Sequence, residues 1–220
     1  MTARLNAATE QALETRERLL HSALRLYARE GLHGVSLRQI SSAAGSRNSA
    51  AIHYHFHNKA GVIAALVEMI ALELRAIDRR ARAGETAASD LRTACHRTLR
   101  PLSLLRQNKH WGPDALRFMS RLLSENDPDY AAIINPVYRD YWQRLDEHLA
   151  RLLPALPEET RRLRLMFMGV NVVHGFAEVS SLAHTPLGDL SHIDSDTLMD
   201  HLVDYLLGGL GASTTTQTDE

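Results

Sequence analysis

The chain has 220 residues, 45% of them hydrophobic and 23% charged, with a net charge of −1. That composition excludes wholesale disorder, and the length suits one large domain or two small ones. The charge is uneven: residues 1–60 carry eight Arg or Lys against four acids, so a +4 head precedes a −5 body, which points to a polyanion such as DNA as partner of the head. No apolar run reaches the roughly 20 residues of a membrane helix; the longest, from Val62 to Leu74, is broken by Glu68 and Glu73. The N-terminus lacks the apolar stretch of a secretory signal, and a lone Cys95 forms no internal disulfide, so a cytoplasmic protein is expected.

The hydrophobic pattern predicts an all-α fold of about nine helices. Residues 1–14 read as a flexible arm. From Thr15 to Glu30, Leu20, Ala23, Leu24, Tyr27 and Ala28 mark one face of a helix, stopped by Gly31. A second helix starts at Ser36, where Ser36 and Gln39 are spaced as a capping box and Val35 and Ile40 as a hydrophobic staple; it ends at Ala44-Gly45. A third, short helix is expected over residues 48–55. Asn58 can cap a fourth, over 59–82, with Ile63, Leu66, Val67, Ile70, Leu74 and Ile77 as its buried stripe. Its basic residues gather at the C-terminal end, where the helix dipole favours them.

Residues 84–89 read as a linker. Beyond them Leu91, Ala94, Cys95, Thr98, Leu99 and Leu102 mark a further helix, with Pro101 a kink or an end. Pro113 opens the next, and Asp127-Pro128 supply N-cap and first turn of one running toward Leu153, bent or interrupted at Pro136. After a loop at 154–157, helices are expected over 158–182 and 196–207, the last stopped by Gly208-Gly209. The tail, 211–220, reads as disordered. No repeat of 20–50 residues is present, which disfavours a solenoid. The domain plan is a head over 15–60 and a regulatory and dimerisation body over 61–210.

Three helices with a short Gly-containing turn between the second and third fit a helix-turn-helix, whose second helix enters the major groove. The stretch Val35-Ser36-Leu37-Arg38-Gln39-Ile40 to Ala44-Gly45, followed by Ile52-His53-Tyr54-His55-Phe56-His57-Asn58-Lys59, resembles the TetR family of bacterial transcriptional regulators, which carry a Tyr/Trp-His-Phe-x-x-Lys signature at the end of the recognition helix. The resemblance covers residues 15–70. The chain departs from it by one extra residue between Gly45 and Tyr54, and at Ala60-Gly61, where many relatives have an acid after the lysine.

The resemblance implies double-stranded DNA as partner. It sets His55 against a phosphate, Tyr54 against the first helix and the DNA backbone, and His53 where relatives often carry an aromatic contact. Lys59 stands at a helix start where the dipole disfavours a cation, which makes sense beside a phosphate. Arg47, Asn48 and Ser49 lie at or before the recognition-helix N-terminus; Arg47 and Asn48 are residue types that read guanine and adenine, or else serve as cap or turn residues. Ser36 and Arg38 are expected on phosphates, with Ser36 as a pure N-cap the alternative. Ile40, Ala44, Ile52 and Phe56 form the small core of the head.

A zinc site at His53, His55 and His57 is disfavoured, because on a helix that spacing points the rings apart and no cysteine is near. Cys95-His96 lacks the geometry of a nucleophile pair. No metal, cofactor or catalytic constellation emerges, so the chain is not expected to be an enzyme. Nine of its twelve aromatic residues follow residue 110. They suggest an apolar ligand pocket lined by Leu99, Leu102, Phe118, Met119, Leu122, Tyr138, Tyr141, Trp142, Met168 and Phe176. Arg117, Arg121, Asn171 and His174 would set its polar end, favouring an anionic or carbonyl-bearing hydrophobic molecule. The last two helices carry apolar residues on more than one face, which in such a family pair with a second copy as a homodimer on a palindromic operator. The expected function is a ligand-released repressor. A helical enzyme or carrier, or a non-specific DNA-binding protein, is the alternative.

Overall fold

The computed structural model describes residues 2–46, 50–83, 88–125 and 127–213, with side chains from Glu10 onward. Nine α-helices and one 3-10 segment make up the described chain, and no strand is present among the described residues. They are α1 Thr2–Glu30, α2 Leu37–Ala43, α3 Ala50–Phe56, α4 Lys59–Ala81, α5 Leu91–Asn108, α6 Gly112–Ser124, α7 Pro128–Leu152, α8 Glu158–Ala177 and α9 Ser195–Gly211, with the 3-10 segment at Val179–His184. None is long and apolar enough to cross a membrane. The chain divides into two compact units, one of Met1–Leu72 with His110–Val137, the other of Glu73–Lys109 with Tyr138–Glu220. The unit boundaries therefore fall inside α4 and α7 rather than at residue 60.

In the first unit, α1 buries Leu19, Leu20, Ala23, Leu24 and Tyr27. Ile40 of α2, Ile52 and Phe56 of α3, and Val62, Ile63, Leu66 and Val67 of α4 complete the core of the head. Each such side chain contributes about 1.5–3 kcal/mol on burial. α6 packs along α1. It adds Ala115, Leu116, Phe118 and Leu122, and the Phe118 ring stacks on Tyr27 with centroids 6.1 Å apart. Arg121 of α6 donates from Nε to the Ala28 carbonyl at 2.9 Å and from Nη2 to the Arg29 carbonyl at 3.2 Å, capping α1. His33 and Glu125 approach to 2.6 Å.

In the second unit, α5, α8 and α9 pack on one another. The core holds Ala94, Cys95, Leu99 and Leu105 of α5, Leu165, Met168, Val172 and Phe176 of α8, and Met199, Val203, Leu206 and Leu210 of α9. Arg92 pairs with Asp204, and His96 lies 3.3 Å from Asp200, tying α5 to α9. Asp146 of α7 accepts from Arg161 at 2.6 Å and Arg162 at 3.0 Å on α8. Those two guanidinium groups, chiefly the Arg161 hydrogen bond, hold its carboxyl below the usual range.

Several helix limits differ from expectation. The arm expected over 1–14 is the start of α1: its alanine, leucine, glutamate and glutamine content favours helix over coil. Pro101 and Pro136 lie inside α5 and α7 and end neither, and Pro101 is itself buried beside Leu99 and Leu105. α8 stops at Ala177, not near 182, and the 3-10 segment leads to an extended Thr185, as the following Pro186 demands. α9 continues through Gly208-Gly209 to Gly211, because Leu210 is buried and Arg164 Nη1 satisfies the Leu210 and Ala212 carbonyls at 2.8 and 2.6 Å. Residues 84–87 of the expected linker and 214–220 of the expected tail lie outside the described residues.

Candidate functional site

The α2–turn–α3 segment is built by local rules. The Ser36 hydroxyl accepts the Gln39 amide at 3.3 Å, and the Ser36 amide donates to Gln39 Oε1 at 2.8 Å. Ser36 is thus the N-cap of α2 inside a capping box, and Val35 and Ile40 are buried around it as the staple. A turn through Gly45 leads to α3, which hides Ile52 and Phe56 and turns its other side outward. Of the expected head-core residues, Ala44 alone is half-buried rather than buried.

On the outward side, Tyr54 is 78% exposed, and His53 and Arg38 are exposed as well. His53 Nδ1 donates to the His57 carbonyl at 3.0 Å, which fixes its ring over the end of α3. His57 ends that helix with φ +62, a conformation uncommon for residues other than glycine. His55 is half-buried, its ring 5.1 Å from Tyr54 and 6.0 Å from Phe56. Burial, and then the Arg16 charge, hold its imidazole below the ordinary value and so neutral at pH 7. Arg16 itself lies over the Phe56 ring at 5.3 Å, on the same side of the head. Its position on α1 gave no motif by which to find it. Arg47, Asn48 and Ser49 lie outside the described residues.

The α3–α4 junction is tight. Asn58 Oδ1 accepts the Gly61 amide at 2.9 Å and caps α4. A Cβ on Gly61 would stand 2.0 Å from the Phe56 carbonyl oxygen, so glycine is required there. Lys59 opens α4 half-buried, its Nζ 5.9 Å from the centre of the Tyr27 ring. Lys59, His55, Tyr54 and His53 are thus carried by one short helix and the first residue after its turn.

The residues expected around a ligand divide between the two units. Phe118 and Leu122 are buried in the first unit against the head, where Arg121 is occupied in capping α1; Arg117 and Met119 are half-buried on the same helix. In the second unit Leu99, Met168 and Phe176 are core residues, and Leu102, Tyr138 and His174 are half-buried. Asn171 is exposed and donates to the Phe167 carbonyl of its own helix. Trp142 lies across Gly169, whose missing side chain makes room for the indole.

A cavity of about 290 Å³ opens within the second unit. Asp78 of α4 and Arg82 just after that helix, Ala94, Arg97 and Thr98 of α5, and Tyr141, Arg144, Leu145 and His148 of α7 line it, together with Ala88. Of the residues expected at a pocket, Tyr141 lines this one. Burial, reinforced by the Asp78 charge, pushes its phenol up to about 12, so it is a neutral donor at pH 7. The signal that could have found the rest was polar rather than aromatic: positions 141, 144, 145 and 148 lie one helical face apart, as do 94, 97 and 98. Among the described residues no group of three or more His, Cys, Asp or Glu is placed to hold a metal ion.

The family described as bacterial regulatory proteins, tetR family, matches residues 19–66, and the tetracyclin repressor-like C-terminal domain matches residues 97–209. The chain belongs to the TetR family. Over 60 residues it is 37% identical to the HTH-type transcriptional regulator AcrR of Shigella flexneri, a match that spans 27% of each protein. The fold extends further. The fatty acid degradation regulator FadR from Bacillus halodurans superposes with a TM-score of 0.63 at 19% identity, covering 89% of this chain and 96% of that one. FadR from Bacillus subtilis, solved in complex with stearoyl-CoA, gives 0.60 at 15% identity, covering 88% and 98%. The TetR-family matches thus take in both the α2–α3 segment and most of the second unit.

Proposed function

We propose that this TetR-family chain is a homodimeric transcriptional repressor that binds a palindromic operator and leaves it when a small molecule occupies the second unit. The observation that carries the reading is the α2–turn–α3 arrangement, with Ile52 and Phe56 buried and His53 and Tyr54 outward on a helix of the kind that the major groove is wide enough to admit. In this reading Arg38, Tyr54, His55 and Lys59 hold phosphates, and the capped start of α2 at Ser36 offers backbone amides to another. Arg47, Asn48 and Ser49 stand before the recognition helix as the base-reading and positioning set. Similarity to AcrR over the head supports the DNA-binding part. The stearoyl-CoA complex of the Bacillus subtilis neighbour supports a ligand-binding body.

The dimer reading rests on α8. Leu163, Met166, Phe167 and Val170 recur at i, i+3, i+4 and i+7 and are 48%, 52%, 52% and 42% exposed. An unburied apolar stripe of that kind is a docking face. A second copy is the occupant that matches the two-fold symmetry of an operator. Release requires the ligand to bind the DNA-free conformation better, by about 1–3 kcal/mol for ordinary coupling. α4 carries Lys59 at its first residue and Asp78 in its last turn, which gives that coupling a continuous element.

The test is footprinting on DNA flanking the protein's own coding region. A protected palindrome is expected, with Lys59→Ala weakening binding to all sequences and lowering the salt slope by about one. Asn48→Ala or Arg47→Ala is expected to relax preference at single positions by about 1–3 kcal/mol. Equal affinity for that region and for random DNA would overturn the reading.

A further inference from the structure

The apolar stripe of α1 does not end in an apolar residue. Leu20, Ala23, Leu24 and Tyr27 are buried on one face, and the position one turn before Leu20 on that face is Arg16. Arg16 is exposed, and its guanidinium carbon lies 5.3 Å from the centre of the ring of Phe56, the last residue of α3. A guanidinium over an aromatic face keeps N–H donors along its edge for another partner. No carboxylate answers it. The positions three and four residues away on α1 are Ala12, Leu13, Leu19 and Leu20, and Arg16 makes no ion pair among the described residues.

Its neighbour shows why the charge matters. His55 precedes Phe56 on α3, and burial, then the Arg16 charge, hold its imidazole below the ordinary value. A neutral imidazole donates a hydrogen bond to a phosphate but brings no charge and releases no counterion. Positive charge beside His55 is therefore supplied by α1. The other cation against α1 is Lys59, whose Nζ lies over the Tyr27 ring. Tyr27 stands about three turns, or roughly 16 Å, along the helix from Arg16. The two cations thus address different phosphates. A cation at the end of α3 also suits the carbonyls there, and that role alone would leave DNA affinity untouched.

We propose that Arg16 is a DNA-phosphate ligand supplied by α1, a contact outside the α2–α3 segment that grips the backbone next to the phosphate taken by His55 and extends the bound face of the head onto the first helix. The contact deepens the reading of the chain as a DNA-binding regulator and rests on that reading for the presence of a duplex.

Binding isotherms of the full chain over a salt series test it, on two duplexes of equal length, one cut from the region flanking the coding sequence and one of scrambled sequence. Arg16→Gln and Arg16→Met should weaken binding to both duplexes about tenfold, since a charge-assisted hydrogen bond is worth at least that. Each should lower the slope of log affinity against log salt by about 0.9, the value of one phosphate contact. Arg16→Met completes the stripe with an apolar chain that suits the Phe56 ring, so it binds like the parent if packing is all that the arginine supplies. Arg16→Lys keeps the charge and should keep the slope. Arg25→Gln removes an exposed arginine nine residues on, half a turn out of phase, and should leave the slope unchanged. Thermal melts establish that the variants are folded. A scan with single methylphosphonates, each removing one phosphate charge, should find a position that weakens the parent about tenfold and leaves Arg16→Met no weaker than before. An unchanged slope in Arg16→Met, an equal loss of slope in Arg16→Lys or Arg25→Gln, or a scan in which every position affects parent and Arg16→Met alike would each overturn the proposal. Equal affinity of the parent for the two duplexes removes the sequence-specific repressor while the slopes still decide the contact. A parent that binds neither duplex removes both.

Discussion

Replacing Gly61 by alanine is the sharpest test of the head's construction. In an ordinary exposed helix interior that change stabilises by about 1 kcal/mol, because alanine is the better helix former. Here the new Cβ would lie 2.0 Å from the Phe56 carbonyl oxygen, a backbone atom with no rotamer to yield. Ordinary contact needs at least 3 Å, so α3 and α4 must part by roughly an ångström. Parting them stretches the Asn58 cap on the Gly61 amide, worth about 1 kcal/mol, and strains a packed core, worth about 1–3 kcal/mol. After the propensity gain the net loss is about 1–3 kcal/mol. For a chain of this length 2 kcal/mol corresponds to a fall in Tm of about 4–8 °C. Circular dichroism melts of both proteins at one fixed concentration measure it, since association also shifts Tm. A variant that melts at or above the parent temperature would refute the steric argument.

Phe167→Glu places a charge in the exposed stripe of α8, and light scattering should report a fall from twice the chain mass to the chain mass; an unchanged dimer would move the interface elsewhere. Arg121→Ala removes both donors from the Ala28 and Arg29 carbonyls, and because the side chain is partly solvated the expected loss is about 1–2 kcal/mol in a urea titration, with no loss arguing that water caps α1 as well. His55 and His148 both have folded values held below 6.5, so the unfolded chain takes up protons first as pH falls. Stability should therefore decline below about pH 6.5 and level off only below the folded values. The double variant His55→Gln, His148→Gln should show a shallower decline in denaturation midpoint between pH 7 and 5 than the parent; parallel curves would contradict the assignment.

Legibility followed the range of the forces involved. The Ser36–Gln39 box, the Val35–Ile40 staple, the Asn58 cap and the buried stripe of α4 all lie within a few residues of one another, and spacing alone betrays them. Three features depended on distant neighbours. Gly208-Gly209 reads as a stop until Arg164, far back in the chain, is seen to satisfy the carbonyls at the end of α9. Arg121 reads as the polar end of a pocket until α1 presents two bare carbonyls to it. Phe118 reads as a cavity wall, yet its stacking on Tyr27 makes it core of the first unit. Aromatic content was a poor guide to the cavity because a well-packed ring and a ring beside empty space have the same sequence. The better guide was charge at helical spacing, in Arg97 on α5 and in Arg144 and His148 on α7.

The two tryptophans fall one to each unit, and their surroundings differ in kind. Trp111 faces the imidazole of His21, with ring centroids 6.0 Å apart. Trp142 lies against the bare backbone of Gly169, adjacent in sequence to the cavity residue Tyr141 and edge-on to its ring at 5.8 Å. The molecule therefore carries its own pair of optical reporters. Emission from Trp111 reports on the packing of the first unit, and emission that responds to an occupant of the cavity belongs to the second, with no label attached.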